Sequence, residues 1–313
     1  MIQVQLNDPE FEKKIAAMHP DGMSVFLLAD GAMRGAFFHG TRFVNTLRAQ
    51  HALGPLETMV LGQASLTAAL LVPMMKGRDR TLFRYDTNGP AAGFRVEAFS
   101  EGYVRGYLLQ NPIPVETQPE NWELSPYFGD GTISVTRFPE GGREPVTGSV
   151  PIVHRNISKD LAEYFLRSEQ IATAFNTGIQ FDSTGRVIGA GGLYLQTMPG
   201  ADPDLVLAAE NAFRAAPSLG QWFAEGGDRE DVIFGLFRAL SPVVVLERDV
   251  IFNCPCTRDG YLSRLLQLDS AELDDMLENG SDPVEIICHN CGSVYSYPLD
   301  ELKKARNHTG TEL

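Results

Sequence analysis

The amino-acid sequence predicts an α+β protein in three parts. These are a mixed α/β core with an antiparallel sheet and helices, a helical linker, and a small C-terminal domain built on cysteines. Three observations lead there. Strand and turn signals alternate at short intervals between Thr81 and Leu109. The break Pro199-Gly200-Ala201-Asp202-Pro203 is followed by short helical stripes. All four cysteines of the 313-residue chain lie in its last fifth. The parts are therefore 1–200, 201–249 and 250–313.

The elements follow in order. Thr58 to Met75 is uncharged, with Ala64, Ala68, Leu71 and Met75 at helical spacing, and Gly62, Gln63, Ser65, Thr67 and Pro73 within it. That mixture favours a buried core helix over a membrane span. Thr81 to Tyr85, Phe94 to Phe99 and Val104 to Leu109 read as a meander, separated by Asn88-Gly89-Pro90 and Ser100-Glu101-Gly102. Ile133 to Phe138 adds a strand. Ser158 to Ser168 reads as a helix with Leu161, Tyr164 and Phe165 on its apolar side. Phe175 to Phe181 and Val187 to Gln196 flank Asp182-Ser183-Thr184-Gly185 as a hairpin.

Beyond Pro203, one stripe is Leu205, Ala208, Ala209, Ala212 and Phe213, and another is Val232, Ile233, Leu236, Phe237 and Leu240 behind an Asp228 cap. Helices this short need a surface to dock on. Near the C-terminus, Asp269 caps a helix with Glu272 at its third position, Leu268 and Leu273 form a staple, and Gly280 lies past the end. Its apolar side, Leu273, Met276 and Leu277, is a small core for some 50 residues, and so small a domain needs a staple.

Composition narrows the function. The chain carries 26 basic and 40 acidic residues, a formal charge of −14, with 43 % hydrophobic residues. Such a balance opposes phosphate binding and a basic membrane-surface helix. The opening residues lack a basic and then apolar leader pattern, so the expectation is a cytoplasmic protein without a membrane anchor.

Four cysteines are too few for a disulfide scaffold, and in a reducing compartment they point to metal binding or redox chemistry. Cys254-Pro255-Cys256 is separated by 31 residues from Cys288-His289-Asn290-Cys291. Zinc takes four thiolates tetrahedrally, and paired cysteines let each segment supply two sulfurs, so Zn²⁺ is the expected ligand of Cys254, Cys256, Cys288 and Cys291. The first pair is an unusual half-site, and the gap exceeds ordinary ribbon spacing. His289 competes as a ligand, and reduced cysteines packed as small hydrophobes are the plain alternative. Oxidation would strip such a site of its ligands, so the composition permits an oxidant sensor and equally a structural module.

Two rival classes remain. A thiol-disulfide oxidoreductase would not need the second cysteine pair. No Walker loop, HExxH or GxSxG occurs, Gly189-Ala190-Gly191-Gly192 suits close packing better than a phosphate cradle, and Ser168-Glu169-Gln170 suits a helix-end network better than acid/base work. His19, His39, His51, His154 and His308 have no partner at motif spacing. A zinc-ribbon nucleic-acid binder is opposed by the acidic spacer Asp269, Glu272, Asp274, Asp275, Glu278 and Asp282.

The cysteine pattern, Tyr164-Phe165-Leu166-Arg167-Ser168-Glu169-Gln170-Ile171, Ala190 to Gln196 with Met198-Pro199, and Gly102-Tyr103-Val104-Arg105-Gly106-Tyr107 occur in one order along the chain. In these the sequence resembles the 33-kilodalton heat-shock protein family, the redox-regulated holdase chaperones of bacteria and organelles. The resemblance implies no catalysis, a homodimer when active, a linker wrapped over the core, and Zn²⁺ held while reduced. It further implies that oxidation forms Cys254–Cys256 and Cys288–Cys291 disulfides, releases zinc, and unfolds the linker and C-terminal domain. The exposed surface then binds unfolding client proteins without ATP. Phe213, Trp222, Phe223, Ile233 and Phe237 would be buried when docked and sticky when released. Pro255 restricts the backbone between the first two cysteines.

Overall fold

The structure is a computed structural model that describes residues 1–5, 8–115, 121–142 and 144–309. The side chains of 307–309, and so the predicted unpartnered His308, lie outside the described residues. After α1 (Pro9–Ala16), capped by Asp8, the chain enters an antiparallel pair, β1 (Gly22–Leu28) and β2 (Met33–His39). Helices α2 (Thr41–Gln50) and α3 (Pro55–Ala69) follow. The segment Pro55–Met74 is long and apolar enough to cross a membrane by length and composition, yet it is almost entirely buried inside this fold. Its Thr58 and Thr67 hydroxyls donate to backbone carbonyls one turn back, so these two buried polar groups are satisfied within the helix.

The predicted meander is present as β3 (Arg80–Thr87), β4 (Gly93–Phe99) and β5 (Tyr103–Leu108), all antiparallel. β6 (Gly131–Phe138) and β7 (Val146–Pro151) extend that sheet on the other side of β3. α4 (Ile157–Tyr164) ends in a π-helical turn, Phe165–Glu169, before the hairpin β8 (Thr173–Phe181) and β9 (Val187–Thr197). Glu169 there accepts from Tyr164 Oη at 3.0 Å and pairs with Arg137, the network expected of the Ser168-Glu169-Gln170 run. Helices α2, α3 and α4 lie between the two sheets and share one apolar core with both.

Three helices then cover the outer face of the β1-β2-β9-β8 sheet: α5 (Pro203–Arg214), α6 (Leu219–Ala224) and α7 (Arg229–Leu236). Asp228 caps α7, bonding to Glu230 N. The second apolar cluster joins Phe26, Leu28, Phe37 and Leu193 of the sheet to Ala209, Leu219, Phe223, Ile233, Phe237 and Leu240 of the helices. Of the predicted linker aromatics, Phe223 and Phe237 are fully buried, and Phe213 and Trp222 are partly so. α6 falls between the two predicted helical stripes, where the sequence signalled no helix. Its reason is close approach: a Cβ at Gly189 of β9 would stand 2.0 Å from Gly220 O, and one at Gly191 would stand 2.3 Å from the Phe223 ring. The glycine-rich strand is thus a seat for a helix.

The linker region is not helical to its end. Val243–Arg248 forms β10, an antiparallel edge strand on β1, where consecutive valines favour extended backbone. The sheet order is β10-β1-β2-β9-β8. The chain then crosses to the other sheet as β11 (Ile251–Phe252), parallel to β5, giving β11-β5-β4-β3-β6-β7. Beyond the first cysteines come α8 (Arg258–Leu265), α9 (Ser270–Asn279), the hairpin β12 (Val284–Ile287) and β13 (Val294–Tyr297), and α10 (Leu299–Thr309). Asp269 caps α9 through Glu272 N as expected, and Leu265, Leu273, Leu277, Tyr295, Tyr297 and Leu302 form the small third core.

Candidate metal centre

Two local structures present the cysteines. The first pair follows β11, whose short parallel pairing sets Ile251 against Tyr103 and Phe252 against Val104. Asn253 N then donates to Val104 O at 3.1 Å, which delivers Cys254 beside Arg105. The second pair forms the turn of the β12–β13 hairpin. Cys291 N and Gly292 N both donate to Cys288 O, Cys288 N donates to Ser293 O, and Gly292 takes φ +68°.

The four sulfurs lie within 4.8 Å of one another and none is bonded to another. Two close contacts run between the motifs: Cys254 to Cys288 at 3.8 Å and Cys256 to Cys291 at 3.4 Å. A tetrahedral metal with bonds of about 2.3 Å places its sulfurs about 3.8 Å apart, so the set is of the right size for one ion. Cys254, Cys288 and Cys291 are buried and Cys256 is half-buried. His289 is exposed, faces Tyr107 at 5.6 Å between rings, and is not part of the cluster.

Crowded thiols share protons unequally. A hydrogen bond from Cys254, followed by one from Cys291, pulls Cys288 well below the ordinary thiol range. Cys254 and Cys291 are pushed up in turn, each chiefly by its bond to another cysteine of the set. A divalent cation would replace these shared protons and displace them to solvent.

The surroundings tie the cluster to both parts of the protein. Tyr295 Oη donates to Cys256 O at 2.9 Å, and Cys291 Sγ bonds Ser293 Oγ at 3.2 Å. From the core, Gln50 Nε2 donates to Cys291 O at 2.9 Å and to Ile2 O at 3.0 Å, while its Oε1 accepts from Val4 N. Arg105 Nη1 points at Cys254 Sγ from 3.6 Å. None of Gln50, Arg105, Ser293 and Tyr295 was singled out from sequence as part of the site. Arg105 alone carried a signal, as a member of the 102–107 motif. A separate cavity of about 600 Å³, lined by Arg34, Arg137, Tyr164, Ser168, Glu169 and Gln196 among others, includes none of the cysteines.

Fold and site together define an α+β protein whose two-sheet core carries a docked helical cover and a cysteine-centred module able to take a metal ion. The family described as Hsp33 protein matches residues 21–298. A 33 kDa chaperonin of Desulforamulus reducens is 30 % identical over 277 residues, covering 88 % of this chain and 94 % of that protein. Another, from Ruminiclostridium cellulolyticum, is 30 % identical over 279 residues with the same coverage. The crystal structure of the 33 kDa chaperonin (heat shock protein 33 homolog) from Thermotoga maritima superposes with a TM-score of 0.83 at 28 % identity, covering 94 % of this chain and all of that one. The chain belongs to the Hsp33 family.

Proposed function

We propose that this protein is a redox-regulated, ATP-independent holdase that binds unfolding proteins under oxidative stress in the cytoplasm. The observation that carries the reading is a continuity. The helices covering the β1-β2-β9-β8 sheet lead, through β10 and β11 and without a spacer, into Cys254. Whatever disorders the cysteine module therefore pulls on the cover. On this reading residues 1–200 are the core, 201–249 the linker and 250–313 the switch.

In the reduced state Cys254, Cys256, Cys288 and Cys291 hold Zn²⁺, which cross-links two distant chain segments and supplies folding free energy to a module with a very small core. Peroxide takes two electrons from each thiolate pair. Cys254–Cys256 and Cys288–Cys291 each become one S–S bond, and each peroxide, with two protons, becomes two waters. Sulfurs bonded in this way are poor metal ligands, so the module loses its staple. The linker follows and bares Phe223, Ile233 and Phe237 together with the sheet face beneath them, and these surfaces capture clients. The active form is a homodimer, and neither nucleic acid nor membrane is a partner.

The test is peptide mapping with parallel zinc measurement before and after peroxide. One zinc per chain before, with release accompanied by the two within-motif disulfides after, is the expected result. Retention of metal with all four thiols oxidised, or oxidation without disulfides, would contradict it.

A further inference from the structure

The segment Gly102–Tyr107 is a docking ledge for the chain that enters the cysteine cluster. Gly102, at φ +96°, accepts from Ile251 N, and a side chain there would meet Asp249 O at 2.7 Å. Tyr103 and Val104 pair with β11, and Tyr107 meets the ring of His289. Between them stands Arg105. Its Nε and Nη2 both donate to the single oxygen Oε2 of Glu97, at 2.7 and 2.6 Å, which anchors that edge of the guanidinium. Glu97 is itself buried and paired on its other oxygen with Arg80, and the Arg105 guanidinium lies over the Phe99 ring. The remaining Nη1 is thereby aimed at Cys254 Sγ, 3.6 Å away.

We propose that Arg105 is a positioning residue of the metal centre, donating from the core to Cys254 Sγ and offsetting the charge of the four-thiolate set. This rests on the metal-holding reading above. A divalent ion with four thiolates keeps two net negative charges in a largely buried place, which is costly without a nearby cation or N–H donors. Arg105 supplies both, and a fixed fork does so at little cost in side-chain freedom. Partners of this outer kind change metal affinity by about 10–100-fold when removed. Metal retention is on this account set partly from the core, by Glu97 through Arg105, and only partly by the module.

The test uses the full reduced chain, titrated with Co²⁺ and with Zn²⁺ against a competing chelator. Arg105→Gln is expected to weaken metal retention by about 10–100-fold and to shift the thiolate-to-cobalt charge-transfer bands. Arg105→Lys, which keeps the charge, should restore part of the affinity, and Glu97→Gln, which releases the fork, should show a smaller loss than Arg105→Gln. Unchanged affinity and cobalt spectrum in a folded Arg105→Gln chain would overturn the proposal. Should that variant not fold, unchanged affinity in both Arg105→Lys and Glu97→Gln overturns it equally. A parent chain that takes up neither metal fails the metal-holding reading itself, which the variants' behaviour relative to a loaded parent does not address.

Discussion

Phe237, at the end of α7, lies 5.5 Å from Phe26 of β1 between ring centroids, and both rings are closed to solvent. The same relation is repeated by Phe223 over Phe37 at 5.4 Å. The linker thus covers an apolar sheet face with an apolar helix face, and neither is suited to water alone. Because the core's main cluster lies on the other side of that sheet, between the two sheets, the cover can leave without emptying it.

Phe237→Ala should weaken the cover selectively. Removal of a buried phenyl costs about 3–5 kcal/mol, and here the loss falls on docking of 203–240. Hydrogen exchange should accelerate in α5–α7 and leave β3–β6 unchanged, and the reduced protein should gain partial ability to suppress aggregation. Uniform acceleration across the chain would show that cover and core do not separate.

Gly189→Ala reaches the same end without deleting an apolar group. The added methyl would collide with Gly220 O and Ala224 N of α6. The expected outcome is an unseated α6, read as increased solvent exposure of Trp222 in fluorescence, with β8–β9 pairing retained. A spectrum identical to the parent's would mean that the close approach is not needed.

Metal removal should melt the C-terminal part and loosen the helical cover joined to it, leaving the two-sheet core folded. Six buried apolar residues are the third core, too few to hold α8–α10 unaided. A chelator under reducing conditions should abolish protection in 256–306 while core strands stay protected. Acid should favour the same change, since the thiols must lose protons to bind a cation.

Acid also acts through His39, which stacks on Phe223 at 4.1 Å. Burial lowers its imidazole from the ordinary 6.5 to about 4. An unfolded chain takes up this proton near 6.5 while the folded one does not until about 4. The stability tied to His39 is therefore full above 6.5 and declines as pH falls toward 4. Neighbouring Asp21, pushed up to about 6 mainly by burial, contributes in the opposite sense below that pH, and Arg42 and Arg229 stand beside both groups. His39→Gln removes the first contribution alone. Between pH 7 and 5 the parent should lose on the order of 2 kcal/mol more than the variant, and parallel denaturation curves would contradict this.

Legibility from sequence followed the range of the interactions. The meander, α9 with its Asp269 cap, and the β8–β9 hairpin are encoded by neighbours in the chain and were readable. The four cysteines were readable because metal chemistry forces a short spacing within each pair. What escaped depends on distant partners. β10 is a strand because β1 lies beside it, and α6 is a helix because Gly189 and Gly191 make room for it. Asp160 reads as an ordinary helix residue, yet it is buried and accepts from Tyr85 Oη and from the backbone N–H groups of Val153, His154 and Asn156. Gln50 and Arg105 likewise reach the cysteines only through the tertiary fold.

The central claim is that cysteine oxidation turns a covered protein into one that binds unfolding chains. Its most direct measurement is light scattering from a thermally aggregating client, without ATP, in the presence of the reduced zinc-loaded or the peroxide-treated protein. Suppression by the oxidised form alone, with the difference between the two forms abolished when Cys254, Cys256, Cys288 and Cys291 are replaced by serine, is the predicted result. Equal suppression by both forms, or by neither, would contradict the account.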